Sequence, residues 1–170
     1  MTNRGDSEKG RETVRPLATL IDAANIAQRG LEKRLAGLKL SVAQQRILAN
    51  VYSAKESLTP SMLAAILLQE THSVSGLLNR LEDRDLITRT RDRHDRRVVW
   101  VGLTAEGRRV AEESIRIFVE MAHEFDSVFS RAGAANLIDM VRDARNVGFK
   151  IAGVREEVRN EALRRAGAAP

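Results

Sequence analysis

The chain has 170 residues and a mass of 18.9 kDa, with 43% apolar residues and a net charge of +5, which fits one domain with extended helical arms and excludes a disordered acidic tail protein. It has no cysteine, which excludes disulfides, thiol redox sensing and thiolate metal sites. The longest unbroken apolar stretch, Met62 to Leu68, is far short of the ~20 residues a membrane helix needs, and Met1 to Glu12 is too polar for a secretory signal, so the expected location is cytoplasmic.

Residues 1–16 read as a flexible arm, with two glycines and many charges. Over 17–38, Leu17, Ile21, Ala24, Leu31, Leu35 and Leu38 form a near-heptad stripe that Gln28 alone interrupts. Ser41-Val42-Ala43-Gln44 is a capping box opening a helix with Ile47, Leu48 and Val51 on one face. Thr59-Pro60 starts the next helix, with Leu58 and Leu63 placed as a hydrophobic staple. Thr71 is the expected N-cap of a further helix with Val74, Leu77, Leu78 and Leu81 on its apolar face.

After Leu86 the period becomes two. Ile87–Arg91 and Val98–Leu103 flank a polar tip, which predicts a β-hairpin. Thr104 caps a long helix to about Ser130, with Ala111, Ile115, Phe118, Ala122, Phe125 and Phe129 as its seam. Gly133 punctuates, and Leu137, Val141, Ala144, Gly148 and Ile151 mark a last helix. A frayed tail is expected over 166–170. The predicted fold is mainly α with a small β-hairpin wing: a winged helix-turn-helix lobe over 39–104, flanked by dimerisation helices over 17–38 and 105–165. The terminal seams are more apolar surface than the lobe can cover, so the partner expected there is a second copy of the chain.

Three features point to double-stranded DNA. Thr71, His72, Ser73, Ser75 and Gly76 place small donors and acceptors on the exposed N-terminal part of the fourth predicted helix, suited to base edges and phosphates in a major groove. The same residues also suit a solvated helix start. A mid-helix glycine costs roughly 1 kcal/mol relative to Ala, so close approach of another backbone to Gly76 is expected. From Arg84 to Arg97 six arginines face three aspartates, and Arg93, Arg96 and Arg97 at the tip suit a minor groove. Charges there also guard a hairpin edge against aggregation. Asp95 and Arg97, two apart, share a face if the strand continues through them, so Asp95 would orient the Arg97 guanidinium.

Asp95-x-Arg97 followed by Leu103-Thr104-x-x-Gly107 resembles the D-x-R…L-T-x-x-G signature of the MarR family of bacterial transcription regulators, and Ser73-Val74-Ser75-Gly76-Leu77-Leu78-Asn79-Arg80-Leu81-Glu82 is similar to that family's recognition helix. The resemblance covers roughly residues 17–152. It implies a homodimer on a near-palindromic operator, repression of a nearby gene, and release when a small molecule binds. It also implies Arg97 in the minor groove, oriented by Asp95. Many relatives carry Arg or another long polar residue where this chain has Gly76, so their operator sequence does not transfer. The family's effector region corresponds here to residues near Ala24, Ile26, Arg46, Leu48 and Phe118. That mostly apolar lining with one cation suits a small aromatic effector and equally suits ordinary core.

Other classes fare worse. His72, His94 and His123 are scattered, and no nucleophile elbow, phosphate loop or zinc-protease motif occurs, so an enzyme is not expected. Glu120, His123 and Glu124 share a helix face at metal-ligand spacing, which is more often a solvated charged face; no metal or cofactor is expected. The alternative that shares the basic wing is a sequence-nonspecific nucleoid or architectural DNA-binding protein. Operator sequence, regulated gene, inducer, and repression versus activation are not legible.

Overall fold

The structure is a computed structural model that describes residues 4–126, 131–152 and 156–167. The chain divides into two compact units, Met1–Val42 and Ala43–Pro170.

The first unit is built on one helix, α1 (Arg4–Leu35), followed by a 3₁₀ turn over Ala36–Leu38. At 32 residues α1 is about 48 Å long. It starts well before Leu17, so residues 4–16, expected as a flexible arm, are helical. Glu8, Lys9, Arg11 and Glu12 are good helix formers, and Pro16 removes one backbone donor without ending the helix. Lys39 ends the 3₁₀ turn in the left-handed region at φ 52°, its N–H bonded to the Ala36 carbonyl at 3.0 Å. Leu17 and Ile21 of the predicted stripe are more than half exposed.

In the second unit α2 (Val42–Ser53, of which Val42 closes the first unit), α3 (Pro60–Leu67) and α4 (Thr71–Glu82) precede β1 (Ile87–Arg91) and β2 (Val99–Leu103). The strands pair antiparallel, Ile87 opposite Leu103 and Arg91 opposite Val99. The Val101 N–H also bonds the Leu58 carbonyl at 2.9 Å, which fastens the loop before α3 to the hairpin. Thr59 caps α3 as the sequence predicts, its hydroxyl accepting from the Met62 N–H at 3.3 Å. Leu58 and Leu63, the staple pair, are both buried. Leu68 ends α3 in the left-handed region at φ 58°, and the Gln69 N–H returns to the Ala64 carbonyl at 3.0 Å. That turn sets α4 across α3.

The core is Ile47, Leu48, Leu63, Ile66 and Leu67 from α2 and α3, Val74, Leu77, Leu78 and Leu81 from α4, and Ile87 and Val101 from the hairpin. The four predicted apolar positions of α4 are all buried, which turns the opposite face outward. Thr71 is the first residue of α4 rather than its cap; Glu70 holds that place without a side-chain bond. The Thr71 carbonyl instead accepts from the Ser75 hydroxyl at 2.9 Å.

Thr104 caps α5 (Ala105–His123). Its hydroxyl accepts from the Gly107 N–H at 2.8 Å and donates to the Asp85 carbonyl at 2.6 Å. A Cβ on Gly107 would stand 1.7 Å from the Leu86 carbonyl oxygen, so this crossing requires glycine. Tyr52 ties α2 to α5, its hydroxyl bonding Glu112 at 2.9 Å while Arg108 covers its ring. The α5 helix ends at His123, earlier than the predicted Ser130, in a turn of three successive i to i−3 bonds through Asp126. Phe129 of the predicted seam lies outside the described residues.

Two helices follow where one was predicted: α6 (Arg131–Ala152) and α7 (Glu156–Arg165). Gly133 sits inside α6 rather than before it; the neighbouring Ala134 and Ala135 favour helix enough to carry it. Along α6, Ile138, Met140, Val147 and Ile151 are more than half exposed. The α7 helix packs on α3, burying Ala162 and Leu163, and the Arg165 carbonyl accepts from the Lys55 and Glu56 N–H groups. Residues 166 and 167, expected to fray, close α7: Ala166 is buried, and Gly167 takes φ 76° as the helix-ending glycine.

Candidate nucleic-acid interface

The outward face of α4 and the hairpin tip form the candidate site. Burial of Val74, Leu77, Leu78 and Leu81 forces Thr71, His72, Ser73, Asn79 and Arg80 to the surface, with Ser75 and Gly76 half exposed between them. A groove of about 360 Å³ runs along this face, lined by His72, Ser73, Gly76, Leu77 and Arg80 of α4. Ala43 and Gln69 complete its walls.

The groove brings together three of the predicted residues, His72, Ser73 and Gly76. Thr71 and Ser75 are not part of it; the Ser75 hydroxyl is turned back onto the Thr71 carbonyl. The expectation of a backbone close to Gly76 is not met among the described residues, since a Cβ there would meet no atom within 4 Å. Arg80 and Gln69 were missed. The spacing 72–76–80 is one helical stripe, and it was the available signal for Arg80.

The wing tip is shaped by carboxylates. Asp92 Oδ1 accepts from the His94 N–H at 2.8 Å and the Asp95 N–H at 2.9 Å. Its Oδ2 accepts from the Trp100 indole N–H at 2.9 Å. These bonds hold the Asp92 carboxyl below the ordinary Asp range, the indole contributing most. Asp95 then grips Arg97. Its Oδ1 accepts from the Arg97 N–H at 3.0 Å and Nε at 3.1 Å, and Oδ2 accepts from Nη2 at 3.3 Å. The Asp95 carboxyl is likewise lowered, chiefly by the Arg97 side chain and next by its backbone N–H.

The predicted pairing of Asp95 with Arg97 is present, but its geometry differs. Both residues lie in the turn between β1 and β2, not on a strand. What joins them is a side chain folding over its own turn, reinforced by a bond to the Arg97 backbone. The role of Asp92 and Trp100 went unread, because an aspartate beside arginines resembles charge balance until its contacts are known.

Arg93, Arg96 and Arg97 are exposed at the tip. Two of the five guanidinium N–H groups of Arg97 are held by Asp95, leaving three to donate outward. Arg89 is committed differently: it bonds Asn79 at 2.6 Å and pairs with Glu82 at 3.5 Å, tying β1 to α4. The groove and wing are therefore mounted on one rigid lobe.

The remaining sequence candidates have structural occupations. Arg46 donates to the Ile66 carbonyl at 3.3 Å, and burial lowers its pKa. Leu48 is core, Phe118 is half exposed, and Ala24 and Ile26 lie exposed on the first unit. Glu120 pairs with Arg116, and His123 with Asp126. Among the described residues, no group of three His, Cys, Asp or Glu could hold a metal ion. No helix among them is long and apolar enough to cross a membrane.

The MarR family model matches residues 37–98. MepR of S. aureus, solved as a DNA complex, is 27% identical and superposes with a TM-score of 0.68 over 74% of this chain and 96% of its own. A mutant MarR from E. coli complexed with operator DNA is 23% identical, with a TM-score of 0.68 over 78% and 95%. CouR from Rhodococcus jostii RHA1, bound to p-coumaroyl-CoA, is 21% identical, with a TM-score of 0.68 over 74% and 88%. No curated protein matches the chain. The grooved helix and the clamped Asp95–Arg97 pair stand on residues 37–98, the segment that is similar to the MarR family model, and the fold around them is the one seen in DNA-bound MepR.

Proposed function

We propose that the protein is a sequence-specific, ligand-responsive repressor that binds a near-palindromic operator as a homodimer. The observation that carries this reading is the clamped wing. A guanidinium preset by Asp95, next to an exposed grooved helix, is arranged to enter DNA with little loss of freedom. His72, Ser73 and Gly76 meet base edges in the major groove; Thr71 and Ser75 meet the neighbouring backbone. Arg93, Arg96 and Arg97 follow the minor groove, with Asp95 orienting Arg97.

Uncovered apolar surface supports a second copy. Leu17 and Ile21 of α1, Phe118 of α5 and Ile138, Met140 and Ile151 of α6 are all exposed in the single chain. Burying such side chains contributes about 1.5–3 kcal/mol each. A dimer also doubles the reading heads, so two modest half-site affinities multiply. The effector we assign is a small aromatic molecule; the p-coumaroyl group of the CoA thioester bound to CouR, whose fold this chain shares, is of that chemical class. The location we assign is the cytoplasm.

Selection of bound fragments from a random duplex pool tests the reading. A dimeric regulator enriches an inverted repeat and prefers it to random duplex by about 10³ or more. Equal binding to every duplex would instead make the protein an architectural DNA binder. A thermal-shift screen of aromatic acids then tests the effector: stabilisation with loss of operator binding supports it.

A further inference from the structure

Gly76 occupies the middle of the exposed stripe 72–76–80, at the cost of a mid-helix glycine, and nothing among the described residues uses the space it leaves. A Cβ there would meet no atom within 4 Å, so packing does not exclude a side chain. The vacancy is part of the groove of about 360 Å³.

Arg80 stands four residues on, at the other end of that groove. Helical side chains lean back toward the N-terminus, over the residue at i−4. For Arg80 that residue is Gly76. A long side chain at 76 would block the path; glycine leaves an open floor along which the guanidinium can lie. No ion pair or side-chain hydrogen bond holds Arg80 among the described residues, in contrast to Arg89 and Arg97. None of the residues lining the groove is a carboxylate.

We infer that Gly76 and Arg80 act as one base-reading unit: the notch at Gly76 admits the edge of a base pair, and Arg80 folds over it to donate two parallel hydrogen bonds to guanine N7 and O6. A planar fork of donors matches those two acceptors, and the pattern is unique to guanine in the major groove. His72 and Ser73, one turn nearer the helix start, flank the same base step. The inference rests on the DNA-binding reading above and deepens it by naming the base and the residue that reads it.

The experiment is fragment selection from a random duplex pool with the full chain, comparing wild type, Arg80→Ala, Arg80→Lys and Gly76→Leu. Wild type is expected to enrich one guanine at a symmetric position in each half-site. Arg80→Ala loses the preference at that position alone, by about 5- to 150-fold, and keeps the rest of the motif. Arg80→Lys loses it too, because an ammonium retains the charge without the fork. Gly76→Leu loses it through a filled notch, without a lower melting temperature. Arg80→Lys with the guanine preference intact overturns the inference and makes Arg80 a phosphate contact. Uniform weakening of all duplexes by Arg80→Ala does the same. Absence of any enriched sequence with wild type is a different failure: it removes sequence-specific binding itself, and this unit with it.

Discussion

Two glycines of this chain should respond to the same substitution with opposite sign. Gly107 lies where the first turn of α5 crosses the chain between α4 and β1. A Cβ there would stand 1.7 Å from the Leu86 carbonyl oxygen and 2.7 Å from its carbon. Non-bonded heavy atoms settle near 3.5–4 Å, so the helix start must retreat by about 1.5 Å or more. That movement breaks the Thr104 N–H bond to Leu86 at 3.2 Å and strains the Thr104 hydroxyl bond to Asp85 at 2.6 Å. Each is worth about 1 kcal/mol, and overpacking adds roughly 1–3 kcal/mol. Replacing glycine in a helix returns at most about 1 kcal/mol. Gly107→Ala should therefore cost about 2–4 kcal/mol. Gly76→Ala, with no atom within 4 Å of the new Cβ, should cost nothing and stabilise by up to about 1 kcal/mol.

Urea denaturation followed by far-UV circular dichroism reads both effects, at one protein concentration because the proposed dimer would contribute to apparent stability. Gly107→Ala should lower the midpoint at unchanged slope. Gly107→Ala as stable as wild type would refute the crossing geometry. Equal shifts of the same sign at both glycines would refute the use of local clearance to tell a structural glycine from a functional one.

Arg97→Ala should weaken operator binding roughly tenfold or more and flatten its salt dependence by about one counterion per subunit; unchanged fluorescence-anisotropy titrations would remove the wing from the interface. Asp95→Ala should also weaken binding although it deletes a negative charge, and tighter binding would show that Asp95 only repels phosphate. Asp92 has a folded pKa below its ordinary value, so its contribution is complete above the ordinary Asp range and disappears as pH falls through the lower folded value. Trp100, the single tryptophan, reports this directly: its emission should hold through the ordinary carboxylate range and change only below it. Ile138→Glu combined with Met140→Glu should convert a particle of twice the 18.9 kDa chain mass to one chain in sedimentation, and an unchanged mass would place the dimer contact elsewhere.

Much of the lobe was legible because local rules and tertiary packing agree there. Thr59-Pro60 and Thr104 cap through their own side chains, a purely local interaction, and both caps are present. The period of α4 identified its buried face, and hence the face left exposed. The change of period after Leu86 marked the hairpin. The Asp95–Arg97 pair was legible as a pair for the same reason: two residues apart, they needed no third element to meet.

The errors lie where a local signal was weak or ambiguous. Pro16 and Gly133 read as boundaries, yet each lies inside a helix, because one unfavourable residue costs less than ending a run of good helix formers. Whether Gly76 is required by packing could not be read from the letter; the open space around it shows that it is not. Gly107 is decided the other way, by a carbonyl twenty-one positions earlier in the chain. Sequence alone determined the Thr59 and Thr104 caps, the periods and the motif, since these depend on residues within a turn of one another. Only tertiary structure decided which glycine is crowded, which arginine is committed and which aspartate shapes the wing, because each depends on atoms that folding brings from elsewhere.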